Sequence, residues 1–186
     1  MAIWVLKKTR KSSGVVPEQR LERLMWLIWV PLVISWIVLP YLATTQSNPR
    51  FAVPEFVSAH PALSTLRWVA SLLAFLCFLM TIECWVRMGE NWRMGVLPDQ
   101  KTDLITSGLY AHVRHPIYAL SILLMLCSAL IVPTVPMITV AAVHVVLIIL
   151  KARNEEHFLL KAHGELYEEY SRRTGHFFPR FTSPKS

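Results

Sequence analysis

Residues 116–150 read PIYALSILLMLCSALIVPTVPMITVAAVHVVLIIL, a run of 35 residues without Asp, Glu, Lys or Arg. As one helix this run would be about 52 Å long, well beyond the ~30 Å hydrocarbon core of a bilayer. Pro133 and Pro136 interrupt it, because proline removes a backbone donor and clashes with the preceding turn. The stretch therefore predicts two membrane-spanning helices, at about 116–132 and 136–152, joined by a tight turn.

Two further stretches, 24–49 and 68–82, also lack charged residues. They predict spanning helices at about 24–43 and 66–86, with Arg67 reaching the membrane interface and Glu83 pairing with Arg87 one turn on. Only 17% of the 186 residues are charged and 54% are hydrophobic, whereas a soluble domain carries about 25% charged residues. The sequence thus predicts an all-α integral membrane protein with about four transmembrane helices.

The positive charges predict how the helices are oriented. Of the 19 Lys and Arg, six lie in residues 1–23, four in 87–115 and seven in 151–186, which four crossings place on one side. The positive-inside rule makes that side cytoplasmic, so both termini are expected there, in a plasma (inner) membrane or the endoplasmic reticulum. The net charge of +7 then attracts anionic lipid head groups, and no nucleic-acid partner is expected. The three Cys lie in apolar helices as packing residues, and no metal-ligand spacing is present.

Polar residues concentrate where the third helix should begin. Arg114 and His115 precede Pro116, which suits a first helical position, and the free N–H groups of such an end favour an anion. On the fourth helix, Glu155 follows His144 by eleven residues and so shares its face, which brings the 155–156 carboxylates toward the third helix's entry. Acidic and basic groups together suit a zwitterionic ligand. A topology-setting Arg, a solvated Glu pair and a hydrogen-bonded interhelical His remain the alternatives.

Trp26, Trp29 and Trp36 repeat at helical spacing in the first helix. This pattern fits a packing stripe, a lipid-facing surface or a dimer seam, and packing is the commonest explanation. The oligomeric state stays open.

In its second half the sequence resembles the isoprenylcysteine carboxyl methyltransferase and phospholipid N-methyltransferase family of membrane enzymes. The resemblance covers about residues 85–181 and rests on an ordered set of motifs. The motifs are Gly89-Glu90-Asn91-Trp92, Ser107-Gly108-Leu109-Tyr110, Arg114-His115-Pro116-Ile117-Tyr118, Glu155-Glu156-His157-Phe158-Leu159, Gly164-Glu165-Leu166-Tyr167-Glu168-Glu169-Tyr170 and Phe177-Phe178-Pro179-Arg180-Phe181. Residues 1–65 carry no such resemblance, so the chain divides into an N-terminal part, 1–65, and a methyltransferase core, 66–186.

The resemblance implies S-adenosylmethionine as cofactor, covered by a C-terminal cytoplasmic helical segment. It implies Arg114, His115 and Glu155 as catalytic residues. The implied cofactor-binding residues are Tyr110, His115, Pro116, Tyr118, Glu155 and Glu156.

The resemblance also implies a lipid-borne methyl acceptor that enters from the bilayer. An isoprenylcysteine-like carboxylate is the leading acceptor and a phosphatidylethanolamine-like amine the alternative. Less favoured classes are a nicotinamide-dependent sterol-reductase-like protein and a non-catalytic membrane protein.

Overall fold

The protein is built from helices. The computed structural model describes residues 20–45, 48–89 and 104–180, with side chains from residue 23 onward. Its elements are α1 Arg20–Thr45, α2 Glu55–Ala59, α3 Pro61–Met88, a 3₁₀ helix Gly108–Ala111, α4 Pro116–Ile131, α5 Val135–His163 and α6 Glu165–Arg173. Within these ranges there is no β-strand, and one parallel bridge joins Val113 to Gly175. The all-helical prediction is confirmed.

Three helices are long and apolar enough to cross a membrane. α1, α3 and α5 contain 26, 28 and 29 residues. α4 is apolar but has 16 residues, so it is about 24 Å long and shorter than the ~30 Å hydrocarbon core. The integral-membrane prediction is confirmed, whereas a count of four crossings stays a prediction.

The helix ends follow from local chemistry. α4 stops at Ile131, and Thr134 caps α5 by accepting the N–H of Met137 at 3.4 Å, so the predicted break at the two prolines is confirmed. Arg67, expected at the membrane interface, donates from Nε to the Ile131 carbonyl at 2.8 Å. A guanidinium at a helix C-terminus donates to a free carbonyl, and its positive charge is stabilised by the partial negative charge of that helix end.

The predicted pair of Glu83 and Arg87 is also confirmed, at 2.8 Å between the carboxylate and the guanidinium.

The long helices form a bundle in which α4 packs against α3 and α5, and α5 also packs against α1. Cys77, Cys84 and Cys127 are all buried as free thiols, as predicted for packing residues. His144 on α5 is buried too, and its Nε2 lies 2.8 Å from the hydroxyl of Ser121 on α4. Large apolar side chains on α1 and α3 face outward, as expected of helices whose solvent is lipid.

α5 continues as a helix to His163, past the end of the apolar run at residue 150, as expected. Gly164, with φ 54°, then turns the chain into α6. This backbone conformation is costly for any residue with a Cβ, which accounts for glycine at the corner. The polar extension of α5 and the short α6 therefore lie together at the α4 entry.

Residues 1–19, 46–47, 90–103 and 181–186 lie outside the described residues. They include most of the N-terminal charges, part of the 87–115 loop, Glu90-Asn91-Trp92 of one motif and Phe181 of another. The cytoplasmic placement of the termini and the division at residue 65 stay predictions.

Candidate active site

The entry of α4 is held by the C-terminal segment. The N–H of Arg114 donates to the Gly175 carbonyl at 2.8 Å, and the N–H of His115 donates to the His176 carbonyl at 3.2 Å. Gly175 in turn donates to the carbonyl of His112 at 3.0 Å. These bonds fix the backbone just ahead of Pro116, the first residue of α4. Two segments that lie about 60 residues apart in sequence are thus joined by three backbone hydrogen bonds.

Gly175 makes this pairing possible. A Cβ at this position would run into the carbonyl oxygen of Phe178, so any larger residue would push the chain away.

Arg114 joins three parts of the fold. Its Nε donates to Glu156 Oε1 on α5 at 2.6 Å, and its Nη1 donates to the carbonyls of Ser171 at 2.9 Å and Thr174 at 2.7 Å. Charge-assisted hydrogen bonds of this kind are about twice as strong as neutral ones. Arg114 therefore holds α5 and the end of α6 against the α4 entry, a structural role that the sequence did not reveal. It also lines the cavity described below.

His115 is 6% exposed and lies between the two predicted carboxylates. Its Nδ1 is 3.9 Å from Glu155 Oε2, and its Nε2 is 3.4 Å from Glu156 Oε1. The ring stacks on Tyr118 with centroids 5.4 Å apart and meets His176 edge-on at 5.0 Å. The ring is thus fixed in orientation by contacts on several sides.

The two consecutive carboxylates take different positions. Glu156 pairs with Arg114, whereas Glu155 lines the cavity, and its buried Oε2 accepts no hydrogen bond from any group in the described part of the chain. A buried carboxylate oxygen without a donor is costly unless a ligand supplies one. Both carboxylates therefore lie at the entry of α4, as the sequence predicted.

A cavity of about 400 Å³ opens beside this cluster, between α1, α3, α4 and α5. Six of the seven predicted site residues line it, and Glu156 lies behind them on Arg114. The six are Tyr110, Arg114, His115, Pro116, Tyr118 and Glu155. The rest of the wall is mainly apolar and aromatic. The cavity therefore has one polar end, at the entry of α4, and an apolar body within the bundle.

Burial keeps the tyrosines around the polar end in their neutral form. Burial raises the pKa of Tyr110 and Tyr167 well above the usual range, and it raises the pKa of Tyr170 to about 12. The hydroxyl of Tyr170 donates to the Tyr110 carbonyl at 2.7 Å and so ties α6 to the 3₁₀ helix. Burial also lowers the pKa of His176, which favours the neutral imidazole.

A known protein family matches the part of the chain that carries most of this site. A model of the isoprenylcysteine carboxyl methyltransferase (ICMT) family matches residues 69–161, half of the chain. The chain belongs to this family. The ICMT match contains both the 114–118 motif and the 155–156 pair, and it ends before Gly164.

The chain is also similar to the cobalt-zinc-cadmium resistance protein CzcN of Cupriavidus metallidurans. The two are 33% identical over 117 residues, which cover 62% of this chain and 53% of the relative. The matching region thus spans about half of that relative's length.

Several lining residues had no predicted role in the site. Three of them are Trp26, Trp29 and Trp36 of α1. Their pattern in the sequence fitted packing, lipid contact or a dimer seam, and a place in a cavity wall was not among these interpretations. Their helical spacing was the available signal. Ser121 and Lys151 also line it, and nothing in their sequence context marked them.

Proposed function

We propose that the protein is an S-adenosylmethionine-dependent methyltransferase that acts on a lipid-borne, isoprenylcysteine-like carboxylate. The observation that carries the proposal is the mixed lining of the cavity, in which Arg114, His115 and Glu155 meet at the α4 entry and the rest of the wall is mainly apolar and aromatic. A zwitterionic cofactor fits the polar end and a prenyl-like chain fits the apolar body. Membership of the ICMT family supports the same reaction.

Glu155 is the residue we assign to the cofactor's ammonium group. Its Oε2 is buried at the cavity and lacks a hydrogen-bond donor among the described residues, and an ammonium group would supply one. Arg114 uses Nε and Nη1 within the protein, so its remaining nitrogen, Nη2, is the donor we assign to a carboxylate of the ligand. The rings of His115 and Tyr118 form the adjacent wall.

When bound, S-adenosylmethionine supplies a methyl group on a positively charged sulfur. An acceptor carboxylate is already ionised at pH 7, so no residue has to remove a proton from it. The work of the chain is then to align the two reactants and exclude water. Trp29, Trp36 and Phe78 serve this purpose by enclosing the acceptor in an apolar wall.

An ethanolamine amine would need a base, and His115 or Glu155 is within the cavity wall. No observation favours that alternative over the carboxylate. The name of CzcN refers to metal resistance and does not name a methyl acceptor.

Calorimetry of the full-length protein in detergent tests cofactor choice. We expect binding of S-adenosylmethionine and none of NADPH; binding of NADPH alone would move the protein to the reductase class, and binding of neither would contradict the proposal. Glu155→Gln keeps the shape and removes the charge, so cofactor affinity should fall by about 2–4 kcal/mol, roughly 30-fold or more. Glu165→Gln, on the exposed start of α6, is the matched control and should bind as wild type does.

Methyl-labelled cofactor then tests the acceptor. We expect label in N-acetyl-S-farnesylcysteine as a methyl ester, which alkali releases as volatile methanol. Label in phosphatidylethanolamine vesicles that resists alkali would establish N-methylation instead.

A further inference from the structure

Three potential metal ligands meet behind the cavity. They come from three separate parts of the chain: His115 precedes α4, Glu156 lies on α5, and His176 follows α6. The Nε2 atoms of His115 and His176 lie 3.4 Å and 3.5 Å from the same oxygen, Glu156 Oε1. Both Nε2 atoms are buried, and neither has a hydrogen-bond partner among the described residues.

We propose that His115, Glu156 and His176 bind one divalent transition-metal ion of the zinc type. Zinc bonds to imidazole nitrogen and carboxylate oxygen are about 2.0–2.1 Å long, so tetrahedral ligand atoms lie about 3.3–3.4 Å apart. The two nitrogen–oxygen distances at Glu156 match this spacing, and all three ligand atoms lie within 4.8 Å of one another. An ion at their common centre would bond to both imidazole nitrogens, neither of which makes a hydrogen bond within the described residues.

The choice of ion follows from the ligand types. Two imidazoles and one carboxylate suit zinc and its first-row neighbours, whereas magnesium prefers oxygen ligands and water. Three protein ligands also leave a fourth position open, as in sites where zinc holds a water molecule.

The site is separate from the cavity although both use His115. The Nδ1 side of the ring faces Glu155, which lines the cavity, and the Nε2 side faces Glu156 and His176 behind it. Metal-binding imidazoles commonly have a carboxylate near their second nitrogen, and here Glu155 lies 3.9 Å from Nδ1. One ring can therefore bind an ion on one side and form the cavity wall on the other.

Arg114 orients the carboxylate for this role. Its Nε contacts Glu156 Oε1, and its Nη1 is held by two backbone carbonyls, so the guanidinium is fixed. A carboxylate has enough lone pairs to accept this hydrogen bond and bind an ion at the same time. The carboxylates of Glu155 and Glu156 offset the positive charges of Arg114 and of Arg153, which acts on His176, so a cation is held by the ligand atoms rather than by a net negative charge.

The backbone prepares the site before any ion binds. The N–H of His115 donates to the carbonyl of His176 at 3.2 Å, which holds the two histidine-bearing segments side by side. A bound ion would add side-chain bonds to this pairing and fasten the segment after α6 to α4 and α5. The inference needs neither cofactor nor acceptor, so it stands or fails independently of the proposed function.

The test uses full-length, detergent-purified protein without a polyhistidine tag. The protein is stripped with chelator, incubated with Zn²⁺ and dialysed, and its metal content is measured by mass spectrometry. We expect about one zinc per chain, no retained Mg²⁺, and with Co²⁺ the visible absorption of a tetrahedral nitrogen–oxygen site. A wild-type protein that retains no zinc would overturn the proposal.

Variants locate the ion. His176→Ala should weaken zinc binding by at least about tenfold, the lower range seen when even a supporting residue of a metal site is lost. His157→Ala, an exposed histidine next to Glu156, is the matched control and should retain zinc as wild type does. Equal zinc binding by the His176→Ala and wild-type proteins would contradict the assignment.

His176→Cys keeps the test decisive if His176→Ala misfolds. A thiolate is a good zinc ligand, so this variant should restore binding and add a sulfur-to-cobalt charge-transfer band in the near ultraviolet. A folded His176→Cys protein that binds Co²⁺ without that band would place the ion elsewhere and overturn the proposal.

Discussion

Replacing Arg114 by lysine separates two roles of this residue. A charge that only sets topology would be kept, whereas Arg114 makes three hydrogen bonds from two nitrogens, to Glu156, Ser171 and Thr174. A lysine ammonium is a single point and can replace about one of them. Each lost hydrogen bond from a charged group costs about 1.5–3 kcal/mol. Since Glu156 is 27% exposed, water can hydrogen-bond to its carboxylate in place of Arg114. We therefore expect the substitution to destabilise the docked segment by about 3 kcal/mol in total.

The loss should appear as local opening of α6 and the segment that follows it. Cleavage by chymotrypsin after Tyr167, which is buried on α6, requires this opening, so the rate of that cleavage in native protein reports the open fraction. An opening free energy lower by about 3 kcal/mol corresponds to roughly 100-fold faster cleavage.

Arg173→Lys is the matched control. Arg173 pairs with Glu169 on the surface of α6, where ion pairs contribute about 1 kcal/mol or less. Cleavage of Arg114→Lys at the wild-type rate would refute the structural role and leave Arg114 a topology-setting charge.

Three further changes have defined outcomes. In protein freed of metal by chelator, His115→Ala should slow methyl transfer at least about tenfold while thermal melting in detergent shows a loss of no more than about 2 kcal/mol; equal losses of stability and turnover would make His115 a structural residue only. Trp26→Ala should raise the KM of a farnesylated acceptor about tenfold without changing cofactor affinity, whereas Trp68→Ala, on the exposed face of α3, should change neither. Gly108→Ala should lower stability by about 1–2 kcal/mol, because Gly108 has φ 63° and an added Cβ would lie 2.9 Å from Arg87 Nε; an unchanged melting temperature would contradict this. Reporters fused after residues 10, 100 and 186 should all read cytoplasmic and one near residue 50 should not.

The helices were predictable because charged groups are excluded from hydrocarbon. The charge-free runs contained the cores of α1, α3, α4 and α5, and the prolines at 133 and 136 marked the turn between the last two. Convergence at the α4 entry was predictable for a similar reason. Helix geometry fixes that Glu155 shares a face with His144, and an ionisable His144 in an apolar run has to face the protein.

The roles within the carboxylate pair were harder to predict. Glu155 and Glu156 differ by about 100° around α5, and which of them meets Arg114 depends on the rotation of α5 against the α4 entry. That rotation is set by packing between helices rather than by local sequence. His176 was missed for a related reason, since it reaches His115 only through the backbone pairing that Gly175 permits.

The tryptophans of α1 show why sequence alone does not reveal which side of a membrane helix faces the protein interior. In a soluble protein an apolar stripe points to the core, but lipid is as apolar as a core, so Trp26, Trp29 and Trp36 fit either side. Only the packing of α1 against the bundle shows that they line the cavity.

The position of these tryptophans bears on how acceptor choice would arise. α1 lies before residue 69, where the ICMT match begins, whereas the α4 entry and the 155–156 pair lie inside it. If the reaction is as proposed, the polar residues that hold the cofactor therefore come from the part of the chain that matches the family, whereas four residues of the apolar wall, Met25, Trp26, Trp29 and Trp36, come from a part that does not. Substitutions in α1 should then change which lipid is methylated while leaving cofactor affinity intact. A division of the chain at residue 65 would separate the α1 residues from the rest of this cavity's wall, so the two parts should act as one unit.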